Sequence, residues 1–348
     1  MDARRLIALV TCFGWVACLG SIALTLAMPG VSSLPAVQWS PWLLGLLVLG
    51  ISHGAFDHRV GAELRTRDEV LPGEAAGPVF YTAYLTASLA VLALWFASPI
   101  AASAGFLAVA AVHFGQGDLY WSRRFGLSAR SGSVGYRASL LLARSALPIA
   151  LPLLAWPGEF SGAADALANR LFGRASWSVP PQAIAAGLVG LTAVVGLQVA
   201  WAAWLAWGAD GPTRRAAAAD IAETLLLIAT FAAVPPVLAL GVYFNAWHSL
   251  RHIARLLLIT ASTRELVASG RLLAAFWKFQ KAALPMTCGA LALALGLGFV
   301  VGRSRMSVVD LGALALVALS ALTLPHFLVV AQMDARQGVW STGPGRTP

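Results

Sequence analysis

Charged residues are scarce in this chain. They make up 11% of its 348 residues, whereas 59% are hydrophobic. A water-soluble domain carries about 25% charged residues, so the composition excludes that class. Cysteine is scarcer still, and Cys12, Cys18 and Cys288 all lie in apolar runs. An odd number of cysteines in such runs is typical of small buried hydrophobic residues and leaves the redox compartment open.

The sequence consists largely of long apolar runs. A run of about 20 apolar residues is long enough to cross a bilayer as a helix. We therefore predict an all-α, polytopic transmembrane helical bundle forming a single integral membrane domain over 1–348. The first run is longer than the apolar core of a signal peptide, which has about 7–15 residues, so it is counted as a span. The predicted spans are roughly 6–28, 39–58, 79–98, 99–121, 137–156, 181–207, 216–234, 236–258, 282–302 and 307–332.

Two features between the spans refine this prediction. Pro99 and the pair Pro235-Pro236 are expected to separate neighbouring helices by tight turns, since proline disrupts a helix interior. The stretch 160–180 is interrupted by polar and basic residues and is too short to span. An amphipathic helix at the membrane surface is predicted there.

Basic residues are distributed unequally between the two sides of the predicted bundle. Four of the 24 lie on one side, at Arg170, Arg174, Arg303 and Arg305, and Arg144 and Arg251 lie within spans. The other 18 all fall on the opposite side, in short loops and termini. The positive-inside rule then predicts cytoplasmic N- and C-termini and an inner (cytoplasmic) membrane location. Because the net charge of +9 is spread over loops rather than gathered in one patch, no nucleic-acid partner is expected.

Histidine is also rare, but its few copies share one depth. All of them lie in even-numbered predicted spans. Apart from His58, which lies closer to the boundary, they are about 6–10 residues before the cytoplasmic boundary, which is roughly 10–15 Å along a helix. Ionisable side chains inside a membrane are costly and usually functional, and imidazole is the commonest transition-metal ligand. The layer therefore predicts a metal site. Its members are His53, His58, His113, His248, His252 and His326.

Helical geometry narrows the ligand set. His248 and His252 are spaced i, i+4, so both rings leave one face of a helix. His53 and His58 are five residues apart and point about 140° away from each other, so one ring at most can join the site. The predicted site therefore contains His53 or His58, together with His113, His248 and His252.

A set of imidazoles without thiolates argues against structural zinc, and its nitrogen donors argue against magnesium and calcium. Fe(2+) is the expected cofactor, with copper and zinc as alternatives. Carboxylates commonly orient ligand histidines, and the nearby ionisable candidates are Asp57, Asp118, Arg251 and, more weakly, Glu223. The alternative for Asp118 and Arg251 is a helix-end charge that reaches the interface.

Aromatic side chains flank the histidines in the sequence. They are expected either to line a hydrophobic tunnel or to act as anchors at the membrane boundary, where aromatic residues are common. The six residues are Phe56, Phe114, Tyr243, Phe244, Trp247 and Phe327.

Four segments of this sequence resemble, in order, motifs of the bacteriorhodopsin-related-protein-like (Brp/Blh) family of β-carotene 15,15′-dioxygenases. Together they are specific, and they extend over almost the whole pattern of spans. The segments are Ser52-His53-Gly-Ala-Phe-Asp57, Val112-His113-Phe-Gly-Gln-Gly-Asp118, Trp247-His248-Ser-Leu-Arg-His252 and Leu324-Pro-His326.

The resemblance implies an enzyme that cleaves the central double bond of β-carotene with O₂ and yields two retinals, which a rhodopsin could receive. It implies an Fe(2+) centre held by His53, His113, His248 and His252, with His326 close to the site but not a ligand. The additional His58 and the long first span depart from the family pattern. They leave the first ligand and the arrangement of the N-terminal region open.

Two other functions remain open from the sequence. A membrane oxidase or desaturase-like enzyme acting on other lipids would also use histidines, although such enzymes tend to carry more of them and two metals. A metal or haem carrier would use histidines as a pathway. A pathway should stagger them across the membrane, whereas these share one depth.

Overall fold

In the computed structural model, residues 3–60, 77–174, 178–301 and 307–341 are described, and every regular element among them is helical. This confirms the predicted all-α class. In chain order the main helices are α1 (Arg5–Ala27), α2 (Pro35–Val60), α3 (Pro78–Ala97), α4 (Pro99–Phe125), α5 (Val134–Ala155), α6 (157–171), α7 (Pro181–Ala206), α8 (Gly211–Ala233), α9 (236–257), α10 (Ala261–Ala268), α11 (Leu272–Val301) and α12 (Val308–Arg336).

Nine helices of the described chain are long and apolar enough to cross a membrane, namely all but α6, α9 and α10. Proline starts many of the helices, because its missing N–H costs nothing at the first helical position. Pro99 and Pro236 each occupy that position, so α3 is separated from α4 and α8 from α9 as predicted.

Helix α11 extends ten residues before the start of the predicted span 282–302. Helix α11 begins at Leu272, because the sequence of residues 272–281 is that of an amphipathic helix. Ala275 and Phe279 are buried at i, i+4, while Lys278 and Lys281 on the other side are exposed. An apolar-run criterion misses such a segment, since its charges lower the mean hydropathy although one face packs against the protein.

Helix α9, predicted at 236–258, forms the centre of the bundle. It is an unbroken helical run in three segments, Pro236–Val242, Tyr243–Ser249 and Leu250–Leu257. At 1.5 Å per residue the whole run is about 33 Å long, which is enough to cross a bilayer. Every residue of its middle segment is buried. Helices α1, α2, α4, α8 and α11 pack around it. Its position places its polar side chains inside the protein rather than against lipid.

Two π-helical turns face each other where α2 meets α9, at Leu46–Gly50 and Tyr243–Ser249. A π turn leaves backbone carbonyls without their usual partners and often accompanies a functional site. Asn245 compensates here, because its side-chain amide donates to the Pro41 carbonyl at 3.0 Å and to the Gly241 carbonyl at 2.9 Å. A Cβ at Gly45 would overlap the Asn245 side chain, so glycine permits this close approach.

Helix α6 was expected to lie on the membrane surface, but one side of it is buried. It consists of Pro157–Asp165 followed by the π turn Ala166–Leu171, and Ala166, Leu167 and Ala168 are all buried. This side packs against α12 and against the first turns of α4. The basic and polar residues that suggested a surface helix lie on the opposite side, where Arg170 pairs with Asp165 and Asp310.

Candidate metal centre

Five of the six histidines converge from four helices in the interior of the bundle. His53 comes from α2, His113 from α4, His248 and His252 from α9, and His326 from α12. All five side chains are buried, with exposed fractions between 3% and 5%. The common depth predicted for the histidines therefore corresponds to one cluster of rings.

The ring separations suit a single binding point. Imidazole nitrogens lie about 2.1 Å from a divalent ion, so the centroids of two rings on one ion are at most about 6.5 Å apart. The His113 ring lies 4.8 Å from both His248 and His326, and the His53 ring lies 5.5 Å from both His248 and His252. His248 and His252 are nearly parallel at 12° and 6.5 Å, as expected for one helical face.

Three of these residues form a compact group of ring nitrogens. Each of His53, His113 and His326 offers a ring nitrogen, and these atoms all lie within 4.8 Å of one another. The sequence resemblance grouped the first two with His248 and His252 and placed His326 outside the ligand set. In the structure His248 remains adjacent, since its Nε2 lies 3.1 Å from His113 Nε2.

Several ring nitrogens in the cluster have no hydrogen-bond partner within the described part of the chain. They are His113 Nδ1, His252 Nε2 and His326 Nε2, all buried. Buried polar atoms are nearly always paired, so three unpaired ring nitrogens among five clustered imidazoles fit a site for a metal ion. The donor set of imidazoles matches iron, copper or zinc rather than a hard cation.

Two neighbours orient the first ring of the cluster. His53 Nδ1 contacts the Gly50 carbonyl at the end of the π turn of α2 and lies 3.3 Å from Ser249 Oγ on α9. With Nδ1 engaged by these oxygens, Nε2 is the nitrogen that faces the other rings. The π turn therefore aims His53 at the cluster.

The carboxylate of Asp57 orients another ring. Its Oδ1 and Oδ2 lie 3.0 and 2.9 Å from His326 Nδ1, and Tyr84 donates a hydrogen bond to Oδ2 at 3.2 Å. Asp57 was predicted from the sequence to orient a ligand histidine. Tyr84, on α3, was missed, because nothing in its sequence surroundings distinguishes it from an aromatic residue facing lipid.

His58 lies outside the cluster of rings. Its Nδ1 is 3.0 Å from the Ala55 carbonyl, and its ring lies against Phe56 at 6.4 Å. The side chain of His58 is buried, with an exposed fraction of 4%.

A network of four buried charges lies beside the cluster, on α4, α5, α8 and α9. Arg251 pairs with Asp118 at 3.1 Å and with Glu223 at 2.5 Å, and Arg144 pairs with the same two carboxylates at 3.4 and 3.5 Å. The formal charges of the four side chains cancel. Such pairing is what permits charges in an apolar interior.

This network fixes α9 rather than contacting the histidine rings. Asp118 also accepts a hydrogen bond from Trp247 Nε1 at 3.1 Å, and the Arg251 guanidinium lies 3.9 Å from the centre of the Trp247 ring. Asp118 and Arg251 are therefore buried and paired, not helix-end charges that reach the interface. Arg144 was passed over as a candidate, although a lone arginine inside an apolar span is itself a signal of function or pairing.

An apolar cavity of about 300 Å³ opens onto the cluster. His53, His113 and His326 form part of its wall, and the rest is almost entirely apolar, as is typical of sites for greasy ligands. Three of the six aromatic residues predicted near the site line it: Phe114, Tyr243 and Phe244. Phe56, Trp247 and Phe327 do not. Six further aromatic residues, missed in the sequence, also line it: Trp42, Tyr84, Trp95, Phe106, Trp156 and Phe160.

Comparison with known proteins bears directly on this arrangement. The profile of the β-carotene 15,15′-dioxygenase family matches residues 44–334. A relative from Halobacterium salinarum named "Probable beta-carotene 15,15'-dioxygenase Blh" is 36% identical over 97% of this chain and 96% of its own length. A second, "Probable beta-carotene 15,15'-dioxygenase Brp" from the same species, is 28% identical over 87% of this chain and 86% of its own. No solved structure matches the chain.

The family match includes all six histidines and all of the cavity-lining residues named above except Trp42. It confirms the resemblance seen in the four short motifs and, with it, the prediction of a carotenoid-cleaving dioxygenase. The chain belongs to the β-carotene 15,15′-dioxygenase family.

Proposed function

We propose that this protein cleaves the central double bond of β-carotene, or of a closely related carotenoid, with O₂ to give two molecules of retinal. Both oxygen atoms of O₂ are incorporated, one into each aldehyde. The observation that carries the proposal is the cluster of buried imidazoles in the wall of an apolar cavity, in a chain of this family. Support for the substrate comes from the names of the relatives.

Fe(2+) is the cofactor we propose, held by His53, His113, His248 and His252. Bound there, iron would supply the activation of O₂ that oxidative cleavage of a carbon–carbon double bond requires. The chain supplies the orientation of the ligand rings. The Gly50 carbonyl and Ser249 engage His53 Nδ1, and the charge network around Arg251 holds the helix that carries the paired histidines of α9.

The cavity wall positions the polyene. Trp42 and Phe244 stack at 5.6 Å with an interplanar angle of 20°, presenting a flat surface next to His53. Phe114 and Tyr243 extend the aromatic surface next to His248. A conjugated chain lying along these faces would be held without directed polar contacts, as suits a hydrocarbon. The same apolar wall excludes water from the reacting double bond.

The convergence of the histidines also bears on the two alternative functions. A carrier pathway calls for rings staggered across the bilayer, whereas five rings here meet at one point. A desaturase-like centre with two metals calls for more ligands than these five rings supply. Neither alternative has an observation in its favour.

Expression in a bacterium that produces β-carotene is expected to bleach the cells and to yield retinal, with O₂ consumed. The measurement is cell colour together with chromatography of extracted retinoids. A matched control is the His248→Ala/His252→Ala variant at equal expression, which should leave the cells coloured. Longer apocarotenals would indicate cleavage away from the centre. Unchanged carotene in cells expressing the wild-type protein would contradict the proposed activity.

We propose a multi-pass topology in the inner membrane with both termini in the cytoplasm, supported by the 18-to-4 distribution of basic residues and the positive-inside rule. A fluorescent reporter that matures only in the cytoplasm should be active when fused to the C-terminus. The same reporter fused after Arg174 should be inactive, and alkaline phosphatase should show the opposite pattern. A periplasmic C-terminus would overturn this orientation.

The partners we propose are the carotenoid, O₂ and the lipid bilayer, with retinal passing to a rhodopsin. The exposed apolar surfaces of α1, α3, α7 and α11 support contact with lipid. Only 17–28% of the most apolar 18-residue stretch of each of these helices is buried inside the protein. The chemistry of the product supports transfer to a rhodopsin, since retinal is the chromophore of that class.

A further inference from the structure

We propose that His326 is a ligand of the metal and that Asp57, held by Tyr84, is the carboxylate that positions it. The proposal rests on the metal site proposed above and adds a fifth imidazole to it. The juxtaposition that carries it is His326 Nε2, buried and without a partner in the described chain, beside the His53 and His113 rings.

The ring of His326 is as central to the cluster as those of the four other histidines. Its centroid lies 4.9 Å from His53, 4.8 Å from His113 and 5.4 Å from His252. His252, by comparison, lies 5.5 Å from His53 and 6.4 Å from His113. An ion close enough to bind His53 and His113 therefore comes within reach of His326.

The hydrogen bonds of His326 determine which nitrogen is available. Both oxygens of Asp57 lie within 3.0 Å of Nδ1, so Nδ1 carries the hydrogen and donates it. Nε2 then keeps a lone pair and has no donor to satisfy it in the described chain. A carboxylate behind one imidazole nitrogen, with the other facing the cluster, is the arrangement found behind metal-ligating histidines.

Further contacts fix the positions of Asp57 and His326. Tyr84 donates to Asp57 Oδ2 at 3.2 Å and lies 3.5 Å from the Leu322 carbonyl, one turn before His326. Gly54 lies against this ring, since a Cβ at its position would be in van der Waals contact with His326 Nδ1 at 3.4 Å. Residues of α2, α3 and α12 thus together orient the His326 ring so that Nε2 faces the cluster.

The test measures metal binding directly, on the purified full-length protein, with Co(II) as a spectroscopic substitute for Fe(II). His326→Ala is expected to lower Co(II) affinity more than 100-fold and to change the visible absorption of the bound ion, since one imidazole leaves its environment. Asp57→Asn, which keeps the volume but removes the anionic acceptor, should lower affinity by about 10–100-fold. Added imidazole should restore affinity to His326→Ala by entering the vacated space.

His58→Ala is the matched control, because His58 is another buried histidine on α2 whose ring contacts the Ala55 carbonyl and Phe56. Its Co(II) spectrum and affinity should equal those of the wild type. An unchanged spectrum and affinity in His326→Ala, at an unchanged gel-filtration profile, would overturn the proposal. Should His326→Ala not fold, an unchanged Co(II) affinity and spectrum in Asp57→Asn would do the same.

The outcomes also separate this proposal from the proposed function. A wild-type protein that binds the metal through His326 but leaves β-carotene intact would overturn the activity and keep the ligand. A wild-type protein that cleaves β-carotene, with an unchanged metal spectrum in His326→Ala, would keep the activity and overturn the ligand. A wild-type protein that binds neither Co(II) nor Fe(II) would overturn both.

Discussion

Replacing His53 by alanine is expected to lower iron affinity more than 100-fold, beyond the 10–100-fold that follows loss of a residue behind a ligand, and to abolish retinal formation. His53 lies between the rings of α9 and α12, at 5.5 Å from His248 and 4.9 Å from His326. Its removal takes away the ring that α2 contributes to the cluster. The measurement is iron per purified protein, with retinal yield at matched expression.

His58→Ala distinguishes a lost ligand from a lost buried histidine. It is expected to keep wild-type iron content and to lower retinal yield modestly at most, because His58 bonds to the Ala55 carbonyl, away from the other rings. Loss of iron in His58→Ala together with normal iron in His53→Ala would reverse the assignment of the ligand on α2.

Replacing Arg251 by methionine is expected to lower the free energy of unfolding by about 3–5 kcal/mol, as in other proteins where one partner of a buried ion pair is removed. The change leaves Asp118 and Glu223 with Arg144 as their remaining cation and removes the guanidinium from the Trp247 ring. Because the four charges no longer cancel, a net negative charge is buried. The effect is measured by heating the purified protein in detergent and monitoring unfolding as the loss of monodisperse protein.

Removing one of the two acidic charges as well should recover part of the unfolding free energy that Arg251→Met loses. In the double variant Arg251→Met/Glu223→Gln, one positive and one negative charge are removed together, so Asp118 and Arg144 remain as a balanced pair. We expect the double variant to be more stable than Arg251→Met alone, and the double-mutant cycle to report a coupling between the two sites. Arg215→Ala, at an exposed position on α8, serves as the control and should have little effect. Equal stability of Arg251→Met and Arg215→Ala would refute a structural role for the network.

Much of the fold and of the site was predictable from local properties of the sequence. Spans of about 20 apolar residues have to be helical in lipid, because no water is present to satisfy the backbone. The prolines at the starts of α4 and α9 locate helix boundaries by the same local logic. The i, i+4 spacing of His248 and His252 determines a shared face within one helix. The angle between His53 and His58 likewise excludes their joint participation.

Only the tertiary structure decided how these helices meet. The π turns that aim His53 and set α9 against α2 arise where Gly45 and Asn245 allow two backbones to approach, and no periodicity in either helix alone reveals that contact. The position of His326 among the rings, with Asp57 behind it, depends on side chains 269 residues apart in the chain. The pairing of Arg144 with Asp118 and Glu223 also joins three separate helices. Composition and spacing act along one helix, whereas a ligand set and a charge network are properties of the packing between helices.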